Sequence, residues 1–260
     1  MLFLDYFIMK AVILAAGMGT RLGELTKDTP KSLLEINGRT LLERSLRNIS
    51  ANGIKEVIIV VGFMGDKIQE KIGNQFEGMN ITYVQSKKYD STGSMHSLYQ
   101  IKDELSANEG IIVLESDLLY EKKAIKTLIE SSKKDAILVG PLLNSGDDVF
   151  ICSNEKGHIT NLGKKISLEE QQNATGALVG ISKYSSDFLS LLFNKAESHF
   201  ENGEDNYHYE EAVMKASNEE NPIHAVSDLD LHWTEIDNEE DLERARTVVH
   251  ANIQINDGTD

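Results

Sequence analysis

A chain of 260 residues with 40% hydrophobic and 26% charged side chains has the composition of a folded protein large enough for one sizeable α/β domain. Its formal charge of −16, from 26 basic and 42 acidic side chains, repels nucleic-acid phosphates and argues against nucleic acid as a partner. A nucleotide site in such a chain has to concentrate its own cations or recruit a metal. The single cysteine, Cys152, permits no internal disulfide and lies in an apolar run, so it reads as a small buried hydrophobe in a protein of a reducing, cytoplasmic compartment. No apolar run reaches the length of a membrane span.

Residues 1–8 are apolar but carry neither the basic start nor the cleavage site of a signal peptide. They read as an N-terminal extension before a strand that Met9 can begin. Residues 11–14 form that buried strand. Residues 24–30 are polar and turn-rich, residues 31–36 a short extended piece, and Asn37–Gly38 a turn. Thr40 with Glu43 caps a helix whose Leu41, Leu42, Leu46 and Ile49 recur at helical spacing, and Asn52–Gly53 closes it. Strand 56–61, helix 65–72 and strand 81–84 follow. A helix then opens at Thr92, Gly93 and Ser94, with Leu98, Ile101 and Leu105 on its apolar side.

Residues 110–114 are a fourth core strand, 124–131 a helix and 135–139 a strand. Beyond Gly140 the pattern becomes antiparallel, with 149–152 and 158–162 as a hairpin and 174–181 as a further strand. Helices at 185–200 and 206–216, short strands at 223–226 and 233–236, and a helix capped by Asp237–Asn238 complete the chain. The alternation predicts an α/β, Rossmann-like fold: a mixed, mainly parallel sheet flanked by helices, with a small antiparallel insertion. A single domain is expected over residues 9–252, with the insertion over about 141–225 and a frayed tail over 253–260.

The chemistry gathers at the ends of strands. The first strand runs into Ala15, Ala16, Gly17, Met18, Gly19, Thr20 and Arg21. Small residues let the backbone turn tightly, the glycines leave N–H groups free to face an anion, and Arg21 and Lys31 bring two cations to the same end. The loop lacks the third glycine of a dinucleotide fingerprint and the Gly-Lys-Ser/Thr of a Walker loop. Asp117 follows a buried strand, where a ligand site in an open parallel sheet is expected. Asp237 follows another strand, and Glu115 and Glu235 each precede one of these acids by two residues on the same strand face. Taken singly, either aspartate also reads as a helix N-cap. Lys164 and Lys165 lie in a loop after the hairpin, and residues 206–211 offer acids and aromatic faces.

The extended pattern of Leu14, Ala15, Ala16, Gly17, Gly19, Thr20 and Arg21, then Thr26 and Pro30, Lys31, Ser32 and Leu33, resembles the signature of nucleotidyltransferases that activate sugar phosphates and small phospho-alcohols. The resemblance spans nearly the whole chain from Met9. Ser97, Leu98 and Tyr99, and Glu115, Ser116, Asp117 and Leu118, resemble phosphocholine and 2-aminoethylphosphonate cytidylyltransferases more than sugar-phosphate enzymes. One position departs: many members carry proline where this chain has Glu24, an acid beside the expected triphosphate.

The resemblance implies that Arg21 holds the β- and γ-phosphates and Lys31 the α-phosphate of CTP. Leu14 to Gly17, with Gly19, Thr20, Thr92, Gly93, Ser94 and Ser116, would bind the rest of the nucleotide. Asp117 and Asp237 would bind Mg2+, Glu235 would assist the metal or the acceptor, and Lys164 or Lys165 would grip the acceptor's phosphate. Tyr207, Tyr209 and Glu210 would meet its cationic amine. The implied reaction joins CMP to a small phosphonate or phosphate and releases pyrophosphate. 2-Aminoethylphosphonate is favoured because segment 206–211 is as acidic as it is aromatic. A phosphocholine enzyme, a sugar-1-phosphate enzyme and a non-catalytic regulatory domain are the alternatives, and a homodimer stays open.

Overall fold

The computed structural model describes residues 9–258, so the extension expected over residues 1–8 lies outside the described residues. The chain enters the sheet as β1 (Met9–Ala15) and leaves it through a 3-10 turn, Thr20–Thr26. A second 3-10 turn, Lys31–Leu33, replaces the extended piece expected there. Its cause is local: Pro30 starts the turn, and its carbonyl receives Leu33 N–H at 2.8 Å. The hairpin β2 (Glu35–Ile36) and β3 (Arg39–Thr40) turns on Asn37 and Gly38, both at positive φ. Helix α1 (Leu41–Ala51) carries the expected capping box of Thr40 and Glu43.

The parallel core continues with β4 (Glu56–Val61), α2 (Gly65–Ile72), the edge pair β5 (Gln75–Phe76) and β6 (Met79–Gln85), α3 (Ser94–Tyr99) and β7 (Gly110–Glu115). Helix α3 stops before Leu105, which was expected on its face, because the chain tightens into a 3-10 turn at Lys102–Glu104. Strand β1 lies between β4 and β7, both parallel to it. Both its faces are buried. Ala11, Ile13 and Ala15 pack with Leu42 and Leu46 of α1, while Val12 packs with Met95 and Leu98 of α3. A strand covered on both sides reads as a continuous apolar run, which is how this one looks in the sequence.

Then come β8 (Leu118–Tyr120), α4 (Lys123–Glu130), β9 (Ala136–Gly140), and the hairpin β10 (Phe150–Ser153) and β11 (Ile159–Gly163). A short helix, α5 (Leu168–Gln172), folds in a stretch that reads only as polar. Its signal is the capping box of Ser167 and Glu170. The long strand β12 (Gly176–Tyr184) joins the parallel core to the hairpin β10–β11. Its second half pairs with β7, its first half with β10, and β9 runs along its other edge. The changeover falls at Gly180, whose φ is +83° and where a Cβ would lie 3.1 Å from the Glu115 carboxylate. Glycine is required there for backbone shape and for room.

Helices α6 (Ser186–Glu201) and α7 (Tyr209–Ala216) cover the face opposite α1. Strand β13 (His224–Ser227) extends β9, and β14 (Trp233–Glu235) pairs antiparallel with β8. The final helix runs as α8 (Glu239–Arg244), a π-helical stretch Ala245–Val249, and α9 (His250–Asp257). The tail expected to fray after Asn252 is therefore helical through Asp257. Ala245, Val249 and Ile253 bury against Leu22, Leu34, Leu119 and Ile236, which holds this helix under the glycine loop. No helix among the described residues is long and apolar enough to cross a membrane.

Candidate active site

The cleft lies at the carboxyl ends of β1 and β7, where β1 gives way to the glycine loop and β7 to Ser116 and Asp117. It encloses about 930 Å³, and Leu14, Arg21, Glu210 and Glu211 are among the residues that line it. Gly17 opens onto it with no atom close to where a Cβ would sit. Gly19 is held at φ +62°, and a Cβ there would press on Lys31 and Thr26, at 3.1 and 3.3 Å. Thr26 pins the turn by donating its hydroxyl to the Gly19 carbonyl at 2.9 Å. Glu24, the position that departs from the family pattern, is turned to solvent and pairs with Lys27 at 3.4 Å.

Lys31 Nζ donates to Asp117 Oδ2 at 2.6 Å and to Asp237 Oδ1 at 2.7 Å. Arg21 reaches the same Asp237 oxygen at 2.7 Å and Asp147 Oδ2 at 2.8 Å, and Lys164 Nζ meets that Asp147 oxygen at 2.6 Å. Charges of alternating sign thus run from Lys164, after β11, to Asp117, after β7. Strand β8, which periodicity does not reveal, explains why Asp117 and Asp237 meet. It pairs Leu118 with Glu235, and the Asp117 carbonyl receives Ile236 N–H at 3.0 Å. Asn238, not Asp237, caps the last helix through Asp241 N–H, which leaves the Asp237 carboxylate for the cations.

The electrostatics follow from this crowding. Burial works against the charge on Lys31, but Asp117 and Asp237 outweigh it and raise its pKa. Burial also opposes ionisation of Asp237, yet Lys31 and Arg21 hold its pKa below the usual value. Glu115 is raised well above the carboxylate range by burial and by Glu235 and Asp117. Glu235 is pushed up to about 8 by burial and by Asp117 and Asp237. Oxygens of Glu115, Asp117 and Glu235 lie within 4.8 Å of one another, and Asp117 Oδ1 is buried with no hydrogen-bond partner among the described residues. Hard oxygen donors, mutual repulsion and an unpartnered oxygen fit a divalent cation such as Mg2+. Asp237 is not one of this trio, although its side chain shares a hydrogen bond with Glu235.

Ala15, Ala16, Thr20, Thr92, Gly93, Ser94 and Ser116 all line the cleft, as do Lys164, Lys165, Tyr209, Glu210 and Glu235. The Thr92 hydroxyl donates to the Lys88 carbonyl at 2.7 Å. The Ser94 hydroxyl accepts Tyr209 N–H at 3.0 Å, so it also caps α7. Tyr207 is not brought to the cleft. Its ring packs against His199, Phe200 and Lys215, because the chain must turn there to start α7. Tyr209 is 1% exposed, with its ring among the core residues under α6. Burial raises the Glu210 pKa, offset in part by its own backbone N–H and by His208.

Sequence reasoning missed Asp147, an acid in an exposed loop with no motif around it. It also missed Tyr89, which lines the cleft. Gly62 was the available signal for Tyr89: a Cβ there would lie 2.7 Å from the Tyr89 side chain and from the Ala16 carbonyl oxygen.

Residues 11–187 match the MobA-like NTP transferase domain. The chain is 27% identical over 258 residues to a CTP:phosphoglutamine cytidylyltransferase of Campylobacter jejuni, covering 90% of this chain and 98% of that protein. It is 39% identical over 107 residues to a choline-phosphate cytidylyltransferase of Streptococcus pneumoniae, covering 40% of this chain and 43% of that protein. It is 28% identical over 157 residues to a CMP-5'-(3-aminopropyl)phosphonate synthase of Streptomyces rubellomurinus, covering 60% of this chain and 25% of that protein. Among solved structures, an inositol-1-phosphate CTP transferase from T. maritima superposes with a TM-score of 0.76 at 21% identity, covering 94% of this chain and 96% of that one. At that identity the likeness speaks for the fold. With residues 11–187 matched, the chain belongs to the MobA-like NTP transferase domain family and is a nucleotidyltransferase.

Proposed function

We propose that the protein is a magnesium-dependent cytidylyltransferase that moves CMP from CTP to a small phosphonate or phosphate bearing a primary amine. The observation that carries this reading is that two lysines and two carboxylates line the same cleft. Lys164 and Lys165 line the cleft together with Glu210 and Glu211, and the Lys164 charge is felt at Glu210. A cation beside half-buried Glu210 and exposed Glu211 suits an acceptor with an anionic head and a cationic tail. The cytidylyltransferase relatives, whose named acceptors are phosphoglutamine, an aminopropylphosphonate and choline phosphate, support the same class. With Tyr207 turned away and Tyr209 buried, carboxylates rather than an open aromatic cage meet the nitrogen. This favours a primary ammonium over quaternary choline, and 2-aminoethylphosphonate is the acceptor of choice.

In this mechanism the acceptor's phosphoryl oxygen, ionised near neutral pH, attacks the α-phosphorus in line. The bond to the β-phosphate oxygen breaks and pyrophosphate leaves with the electron pair. No general base is needed. Lys31 turns from Asp117 and Asp237 to the α-phosphate, and Arg21 turns from Asp237 to the β- and γ-phosphates. Glu115, Asp117 and Glu235 would hold Mg2+, with Asp237 released to join them. The bound ion would neutralise triphosphate charge. Small residues from Ala15 to Gly17 let the nucleotide approach, and Thr92 to Ser94 border the base.

The test is pyrophosphate release with each of the four NTPs against 2-aminoethylphosphonate, phosphocholine, phosphoethanolamine and sugar 1-phosphates. Turnover with CTP and an amine-bearing acceptor is expected. Turnover confined to a sugar phosphate, or to another NTP, would overturn the reading.

A further inference from the structure

We propose that Asp147 is an internal competitor for the substrates' phosphoryl groups, a carboxylate that must be displaced from Arg21 and Lys164 before both substrates bind. The inference rests on the cytidylyltransferase reading of the same cleft. One oxygen, Asp147 Oδ2, receives Arg21 at 2.8 Å and Lys164 at 2.6 Å. These cations come from two separate segments, the turn after β1 and the exit of β11. A single oxygen reached by both marks a point where a phosphoryl oxygen could also be reached by both. A triphosphate held by Arg21 and an acceptor phosphoryl group held by Lys164 would therefore be neighbours there.

The loop between β9 and β10 is shaped to present this acid. Asp148 is buried and accepts Leu143 N–H at 2.9 Å, while Ser145 Oγ accepts Asp147 N–H at 3.3 Å. Asn144 and Gly146 turn the chain at φ 54° and 84°. Trp233 anchors the loop's start by donating to the Pro141 carbonyl at 3.3 Å. One aspartate thus holds the loop and the next faces the cations.

The other acids of the ion chain have a second use. Asp117 belongs to the trio that fits a divalent cation, and Asp237 lies beside Glu235. Asp147 is outside that trio. When phosphates take Arg21 and Lys164, its charge faces anions of the same sign, so the link opens and the loop gives way. Side chains of Asp147, Arg21 and Lys164 are 44%, 59% and 43% exposed, so the links tune affinity and do not block binding.

Asp147→Asn and Asp147→Ala should bind CTP and inorganic pyrophosphate about three- to tenfold more tightly by calorimetry with Mg2+, the scale expected for two exposed ion pairs. Pyrophosphate should become a stronger product inhibitor, kcat should not rise, and the gain should shrink as salt screens the links. Glu130→Gln removes an exposed acid at the end of α4 that pairs with Lys126 and does not line the cleft, and should leave both affinities unchanged. Equal affinity in wild type and both Asp147 variants, weaker binding in them, or the same gain in Glu130→Gln would overturn the proposal. Failure of the wild-type protein to bind either compound would instead remove the cytidylyltransferase reading, and the competitor with it.

Discussion

Gly93 lies so close to the Tyr207 backbone that a Cβ there would fall 2.0 Å from the Tyr207 carbonyl oxygen. The contact is reinforced by Gly93 N–H to the Asp205 carbonyl at 3.0 Å and Met95 N–H to the Tyr207 carbonyl at 3.3 Å. It splices the loop expected to border the nucleobase to the segment that starts α7. Gly93→Ala therefore has to displace backbone, not a flexible side-chain end. We expect a stability loss of about 1–3 kcal/mol, the usual cost of overpacking. KM should rise for nucleotide and acceptor together, because both walls shift. Thermal melting and initial-rate kinetics check this, and wild-type values for both would show that the segments move independently.

Lys31 is the central cation. Its side chain is 12% exposed, and it is held between Asp117 and Asp237. Lys31→Ala would leave these acids with Glu115 and Glu235 and no lysine among them. Turnover should fall by roughly 10²–10³-fold, the loss typical when one charge-stabilising donor is removed. The metal-free variant should melt earlier than wild type, since an acid stripped of its buried partner is costly. Mg2+ should restore part of that stability. Near-normal turnover would remove Lys31 from the chemistry.

The parallel core was legible because β1, β4 and β7 are buried on both faces and write themselves as apolar runs. The cations and acids of the cleft were legible because they sit where those strands end. Two things were not. Strand β8 is three residues long and has no periodicity to read, yet its pairing with β14 is what brings Asp117 to Asp237. Asp147 reaches Arg21 only through the folding of an exposed loop, and no local pattern announces a contact made by tertiary structure. Tyr207 shows the converse: a residue type suited to a cation, in a suitable segment, whose ring the backbone directs elsewhere.

Glu210 is the carboxylate proposed to meet the acceptor's amine. It lies in the first turn of α7, lines the cleft, and burial raises its pKa. Glu210→Gln keeps the shape and removes the charge. We expect the acceptor KM to rise by about 10–100-fold, the scale of a charge-assisted hydrogen bond, with the KM for CTP nearly unchanged. An acceptor analogue lacking the amine should show no difference between wild type and variant. Equal acceptor KM values would place the amine elsewhere.

Glu121 anchors the β8–β14 ribbon from below, and its titration gives the fold a pH dependence of definite sign. The side chain is fully buried. One oxygen accepts His232 N–H at 2.8 Å, the other accepts from Asn256 of the last helix, and Lys123 lies 3.5 Å away. Burial alone would raise its pKa, but these donors and Lys123 outweigh it and hold the pKa below the ordinary value. A carboxylate depressed in the folded state contributes stability that is present above its unfolded pKa of about 4.3 and is lost as pH falls through the lower, folded value. Glu121→Gln removes that contribution. The variant should be less stable than wild type at pH 7, by roughly 1–3 kcal/mol, the cost of unmatched buried hydrogen-bonding groups. The gap should narrow as pH drops below about 4, because the wild-type carboxyl then becomes protonated as well. Urea melts of both proteins between pH 3 and pH 7 measure the gap directly, and a gap independent of pH would show that the Glu121 charge contributes nothing to the anchor.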